Sequence, residues 1–283
     1  MTLSRSSEST MRYLHISIDG SWLRKLCAPS SATTHGVFAS KTVNPDRGVK
    51  LDFNRLNQLL LTHIHQFDKH VKLGKLVLAT SVFLLPDDIE SWPQQHPFAL
   101  RQIQRVKDDV LSRQRFVESA IKAGYTEDCI YYPEMKPWIL DQCITKTYSE
   151  KQVDIACASS FVGTAVCCPS DYHCILAGDG DFLPALRFVY PTHTRNVFLA
   201  TTDVEEDRLK NTSAYALNSL KLDIPTLYLQ DHVADMIQGD LVYTCVHCDK
   251  IFDRFNNNPV PKNTQPCCSL CYQDRQNNRR KAA

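Results

Sequence analysis

The chain's 283 residues are 43% apolar and 22% charged, with a net charge of +1, proportions of an ordinary folded domain that exclude an intrinsically disordered chain. One sizeable domain with a small appendix is expected at this length. No run approaches the ~18 uninterrupted apolar residues of a membrane span, and MTLSRSSEST lacks the apolar centre of a signal peptide, so a cytoplasmic setting without a membrane partner is expected.

Residues 1–11, polar and Ser-rich, read as a flexible extension ahead of RYLHISI (12–18), the first of six β-rich apolar runs. Residues 28–50, APSSATTHGVFASKTVNPDRGVK, hold no sustained period and read as an insertion loop; residues 52–70 then show helical spacing through Leu56, Leu59, Leu60 and Ile64. KLVLATSVFL (75–84) follows, then a second loop bracketed by prolines (86–97) and a long helical pattern over 98–123. CIYYPE (129–134), a helix at 151–166, YHCILAG (172–178), a helix at 182–190, NVFLATT (196–202), a weaker helical stretch near 211–220 and PTLYLQ (225–230) complete the series. Continuous hydrophobicity marks strands covered on both faces. The alternation of such strands with helices predicts an α/β fold, a three-layer α/β/α sandwich with a mostly parallel sheet and right-handed crossovers, over residues 12–237.

Carboxylates fall at the ends of two of these runs. Asp19 follows YLHISI, while Asp179 and Asp181 follow YHCILAG. In an open parallel sheet, ligands gather outside the carboxyl ends of strands, especially where strand order reverses. Gly20, Gly178 and Gly180 would let the chain turn tightly there and a substrate come close. Asp154 opens the 151–166 helix, where its simplest role is capping or favouring the helix dipole; Asp181 is placed to cap the helix after it. Asp203, just past NVFLATT, is a weaker candidate in an acidic turn with Glu205, Glu206 and Asp207. Lys151 and Arg195 are candidate phosphate contacts at the same edge, although each residue type is more often a plain surface cation.

With ISIDGSWL, EKQVDIACA and CILAGDGDFLPAL in this order, the chain resembles the NYN family of PIN-like nucleases, in its LabA-like branch, over about Arg12 to Leu229. The resemblance implies a PIN-like fold, an acidic cluster holding Mg²⁺ or Mn²⁺, and hydrolysis of RNA phosphodiesters. Position by position it makes Asp19, Asp154, Asp179 and Asp181 the catalytic, metal-ligating acids. Family members usually carry Asn three residues after the first Asp, whereas here Trp22 stands there. Crowded carboxylates repel and raise one another's pKa until a divalent cation neutralises them; hard oxygen donors suit Mg²⁺ and Mn²⁺. RNA is the expected partner, single-stranded DNA a second, and a homodimer is left open. Two other readings compete. One is a PIN-like scaffold without turnover, binding RNA or protein, which Trp22 favours. The other is a haloacid-dehalogenase-like phosphatase, suggested by GDGDF but lacking an Asp-x-Asp on the first strand, where Asp19 is followed by Gly20 and Ser21.

Twelve cysteines are present and five lie between Cys245 and Cys271, a clustering that argues for metal. Cys245-x2-Cys248 and Cys268-x2-Cys271 match the spacing of a four-thiolate zinc ribbon or knuckle, whose closed shell makes the Zn²⁺ structural. Cys267 is an alternative to Cys268, and His247 a nearby substitute. Residues 238–283 form this zinc-binding module and a basic tail, with seven basic against four acidic residues. RQNNRRK there is either a phosphate contact or a solvated end.

Overall fold

The computed structural model describes residues 11–30, 36–92, 99–145, 152–203, 223–239, 242–253, 260–261 and 263–282. Residues 1–10 of the expected extension (1–11), the helix near 211–220 and Lys151 lie outside these residues. Strands β1 (Tyr13–Asp19), β2 (Lys72–Ser81), β3 (Ile130–Tyr131), β4 (Tyr172–Leu176), β5 (Val197–Thr201) and β6 (Thr226–Tyr228) form one sheet in the order β3-β2-β1-β4-β5-β6, and every neighbouring pair is parallel. Each falls on one of the continuous apolar runs, most cleanly β4 and β5, whose burial on both faces leaves no alternate position for polar residues, whereas Tyr131 of β3 and Tyr228 of β6 are exposed. The helices are α1 (Gly20–Cys27), α2 (Val37–Ser40), α3 (Phe53–His65), α4 (Ala99–Lys122), α5 (Pro137–Ile144), α6 (Val153–Cys167), α7 (Leu183–Val189) and α8 (Val233–Met236).

Helices cover both faces of the sheet. On one side Leu14, Ile16 and Ile18 of β1 pack in a core shared with Leu23 and Leu26 of α1, Leu56 and Leu60 of α3, and Ile103 and Val110 of α4. On the other, Ile175 of β4 and Leu199 of β5 meet Cys157 and Phe161 of α6 and Leu186 of α7. From β1 the chain builds outward to β2 and β3, then returns past β1 to lay down β4, β5 and β6. Strand order therefore reverses between β1 and β4.

The segment 28–50 is expected as an irregular loop; its described residues, 28–30 and 36–50, instead include α2 and bond to neighbouring elements. Gly36 N donates to Lys25 O (2.9 Å) and Val49 N to Cys27 O (2.8 Å), which ties the segment to the end of α1. Beyond the sheet, β7 (Val242–Thr244) and β8 (Ile251–Asp253) form an antiparallel pair, and α9 (Ser269–Ala282) follows. Ile251 N donates to Lys41 O (2.8 Å), and Val43 N to Ile251 O (2.9 Å). These bonds join the cysteine-rich segment to residues about two hundred positions earlier, a pairing that no local pattern encodes. Among the described residues no helix is long and apolar enough to cross a membrane.

At the opposite, amino-terminal edge of the strands lies a histidine stack. His15 and His173 rings stack at 5.2 Å, and His173 Nε2 donates to the Cys168 carbonyl at 3.0 Å. The carbonyl fixes the proton on Nε2, so the buried Nδ1 is a bare acceptor with no partner. Burial first, opposed by the Cys168 carbonyl bond, then aided by His15 and opposed by Asp171, takes its pKa from 6.5 down to about 4. The folded state thus binds this proton less readily than the unfolded one. The stabilisation is complete above pH 6.5 and is lost as pH falls toward 4, by on the order of 2–3 kcal/mol. Denaturant melts from pH 7 to pH 4 should show this fall, and His173→Phe should flatten it; parallel profiles for the two proteins would count against the assignment.

Candidate functional site: acids at the strand-order reversal and a cysteine tetrad

Asp19 ends β1 and caps α1: its Oδ1 accepts from Trp22 N at 3.0 Å, and the residue is buried, 5% exposed. Asp179 follows β4 and caps the single 3-10 turn Gly180–Phe182, its Oδ1 accepting from Asp181 N at 3.1 Å. The cap expected of Asp181 therefore falls to Asp179, and α7 starts without a side-chain cap. The reason is reach: Asp179 has the extended backbone of a cap residue, whereas Asp181 already lies inside the turn. Asp154 sits exposed in the first turn of α6, two residues beyond Gln152, whose φ of 75° starts the helix from a left-handed corner. Asp181 is exposed as well.

Adjacent strand ends thus carry Asp19 and Asp179, while α6 brings Asp154 toward the same region. The Cys157 thiol on the buried face of α6 is raised well above the usual range, first by burial and then by the negative charges of Asp19, Cys129 and Asp154. The acids share an edge without forming a closed ligand set. Among the described residues, the groups of three or more candidate ligands with atoms within 4.8 Å of one another are Cys245, Cys248, Cys268 and Cys271, and His15, Cys168 and Asp171.

The glycines of this edge serve internal packing. A Cβ on Gly20 would stand 2.8 Å from Leu78 Cδ1, and one on Gly178 would stand 2.1 Å from Trp22 Nε1. The space expected for a substrate is filled at both positions by the chain's own side chains. Arg195 is exposed and precedes β5, which puts it at the amino-terminal edge of a parallel sheet. It is therefore removed from phosphate contact beside the acids. Asp203, half-buried just past β5, is at the correct edge, and its N–H donates to Gln230 Oε1 at 3.2 Å. A cleft of about 580 Å³ runs beside α6, lined in part by Lys75, Tyr131, Gln152 and Ile155.

The four cysteines carry the other candidate centre. Cys248 and Cys268 sulfurs are 3.8 Å apart, which equals the roughly 3.8 Å edge of a tetrahedron built on ~2.3 Å Zn–S bonds. Cys268 N donates to Cys245 Sγ at 3.4 Å. Burial opposes ionisation of Cys245, but the N–H groups of Cys268, His247 and Cys248 outweigh it and bring this thiol down to about 6. Cys271 is pushed up, first by its contact with Cys248. Cys245 thus ionises more readily than Cys248 and Cys271, and a divalent ion would let all four sulfurs bind as thiolates. The tetrad can hold a tetrahedral metal such as zinc. The choice between Cys267 and Cys268 falls to Cys268, since the Cys267 thiol turns to the Cys268 carbonyl (3.6 Å). His247 Nε2 accepts from Arg275 at 2.7 Å and is engaged there.

No family model, curated protein or solved structure matches this chain significantly. The chemistry of each group must therefore decide its role. The His15, Cys168 and Asp171 group, whose members no sequence spacing links, fails as a metal site on its hydrogen bonds. His15 Nδ1 accepts from Lys75 N at 3.0 Å, so the neutral ring carries its proton on Nε2, which donates to Asp171 Oδ2 at 3.1 Å. A metal at Nε2 would have to displace that proton and create an imidazolate. With Tyr13 N also donating to Asp171 Oδ1, the group fastens β1 to the start of β4.

Proposed function

We propose that the chain is a metal-dependent ribonuclease with an NYN-type, PIN-like body and a structural zinc module. The observation that carries this reading is the reversal of strand order between β1 and β4, whose carboxyl ends bear Asp19 and Asp179, because ligands of open parallel sheets collect at that crevice. The donor set suits Mg²⁺ or Mn²⁺, which take oxygen ligands and need only one or two direct carboxylates, the rest of the shell being water and substrate phosphate. The ion would supply charge neutralisation and Lewis-acid polarisation of the scissile phosphodiester. Asp19 and Asp179 would hold it, each fixed in direction by its cap bond. Asp154 and Asp181, both exposed, suit positioning the attacking water and accepting its proton on a carboxylate oxygen. At the tetrad, Zn²⁺ on Cys245, Cys248, Cys268 and Cys271 would be structural, since four thiolates close the shell.

A catalytically silent RNA-binding scaffold is the second reading, favoured by the absence of the four acids from any compact ligand group among the described residues. Incubating the pure protein with labelled RNA and single-stranded DNA in Mg²⁺, Mn²⁺ or EDTA separates the two. Cleavage of RNA in either metal and none in EDTA is expected. Cleavage that survives EDTA excludes the metal mechanism, and RNA binding without cleavage in either metal favours the scaffold.

A further inference from the structure

We propose that Trp22 is a positioning residue that sets the relation between the two acid-bearing turns, through an exchange of size with Gly178. What the acids hold rests on the ribonuclease reading; the contact itself does not. Three observations meet on this residue. Its backbone N–H donates to Asp19 Oδ1 at 3.0 Å and so directs the first acid. Its indole is buried and occupies the space where Gly178 has no side chain, a Cβ there standing 2.1 Å from Nε1, 2.7 Å from Cε2 and 2.9 Å from Cδ1. Gly178 directly precedes Asp179, the second acid. One residue therefore supports both carboxylates, by its main chain on one side and by its ring on the other.

Gly178 lies outside the left-handed glycines of the chain, so its backbone would accept alanine. The indole stands in its way, supplying the three nearest atoms to a Cβ there. The indole Nε1 is enclosed and has no hydrogen-bond partner, and an enclosed N–H offers nothing to a substrate. Trp22 thus acts through shape, whereas Asn at this position would act through a polar contact.

The test uses the full chain with Trp92→Phe and Trp138→Phe, which leaves Trp22 as the single emitter of the three tryptophans. Mn²⁺ alone is titrated, followed by tryptophan emission and calorimetry, with thermal melts to establish folding. Saturable quenching of Trp22 by paramagnetic Mn²⁺, reversed by Mg²⁺, is expected in the parent. Gly178→Ala should weaken Mn²⁺ binding by about tenfold or more, the scale seen when a group supporting a metal ligand is disturbed. Adding Trp22→Ala to Gly178→Ala should restore affinity to within about threefold of Trp22→Ala alone, because residues in contact couple.

Parent-like Mn²⁺ binding by Gly178→Ala, or penalties of the two substitutions that simply multiply, overturns the inference and leaves the ribonuclease reading intact. A parent that binds no Mn²⁺ overturns both. Should Gly178→Ala fail to fold, the comparison of Trp22→Phe with Trp22→Ala decides. Trp22→Phe keeps the N–H and most of the ring and should bind within about threefold of the parent; equal affinities for the two variants overturn the proposal.

Discussion

Cys268→Ser is expected to remove about one zinc per chain and to unfold the segment around β7, β8 and α9, while Cys267→Ser leaves metal content unchanged. The size of the effect follows from the small core available there. Cys245, Phe252 and Cys268 are its buried apolar members, with Val43, Tyr243, Cys267 and Cys271 packed at its margin. So few side chains cannot offset the entropy of ordering the segment. A structural zinc contributes ~10–16 kcal/mol of apparent binding free energy in small zinc-folded peptides, enough to decide whether the segment folds. The disturbance should also travel. Ile251 is bonded to Lys41 and Val43, and Lys250 Nζ donates to Ser40 O at 3.2 Å. Metal loss should therefore raise hydrogen exchange over residues 36–51 as well as 242–253, while β1, β2 and β4 stay protected. Zinc retained by Cys268→Ser, or lost equally by Cys267→Ser, would contradict the ligand assignment.

Asp19→Asn and Asp179→Asn should each lower RNA cleavage in Mn²⁺ by at least about 100-fold, equivalent to ~2.7 kcal/mol of transition-state stabilisation, with melting temperatures close to the parent's. Both side chains have a second occupation as caps, and this makes asparagine the informative substitution. Asn keeps an oxygen able to accept from Trp22 N or Asp181 N, so the cap survives while the charge does not. Alanine would remove both and confound folding with chemistry. Asp181→Asn should cost less, because among the described residues no backbone N–H fixes its carboxylate in the way Asp181's own N–H fixes Asp179. Full activity in Asp179→Asn, measured on the same RNA, would remove the acids from the mechanism.

The strands were legible because the sheet is parallel and covered on both sides: runs such as YHCILAG and NVFLATT have no polar alternation to blur them. The long helices α3, α4 and α6 were legible from their periodicity. α5 was missed because it spans only Pro137–Ile144, about two turns, and begins on a proline. α2 and α8, four residues each, carry too little period to register. At the candidate site, sequence spacing brought Asp19 and Asp179 to one sheet edge, but it could not reveal which carboxylate caps a turn, because that depends on φ and ψ. Trp22 and Gly178 were each conspicuous alone. Their contact depends on the reversal of strand order that makes β1 and β4 neighbours. The x2 spacing to Cys271 favours Cys268 over Cys267, and the direction in which each thiol turns agrees with it.

The central position of β1 has a consequence for biosynthesis. β1 ends at Asp19, and its neighbour β4 begins at Tyr172, so a ribosome working at ~5–20 residues per second needs roughly 8–30 s to deliver the second strand after the first. Through that interval the nascent sheet can hold at most β3-β2-β1, with the backbone groups of β1 that later pair with β4 left open. The crevice between Asp19 and Asp179 cannot close before β4 emerges, and slower or chaperone-poor translation should favour aggregation through that edge.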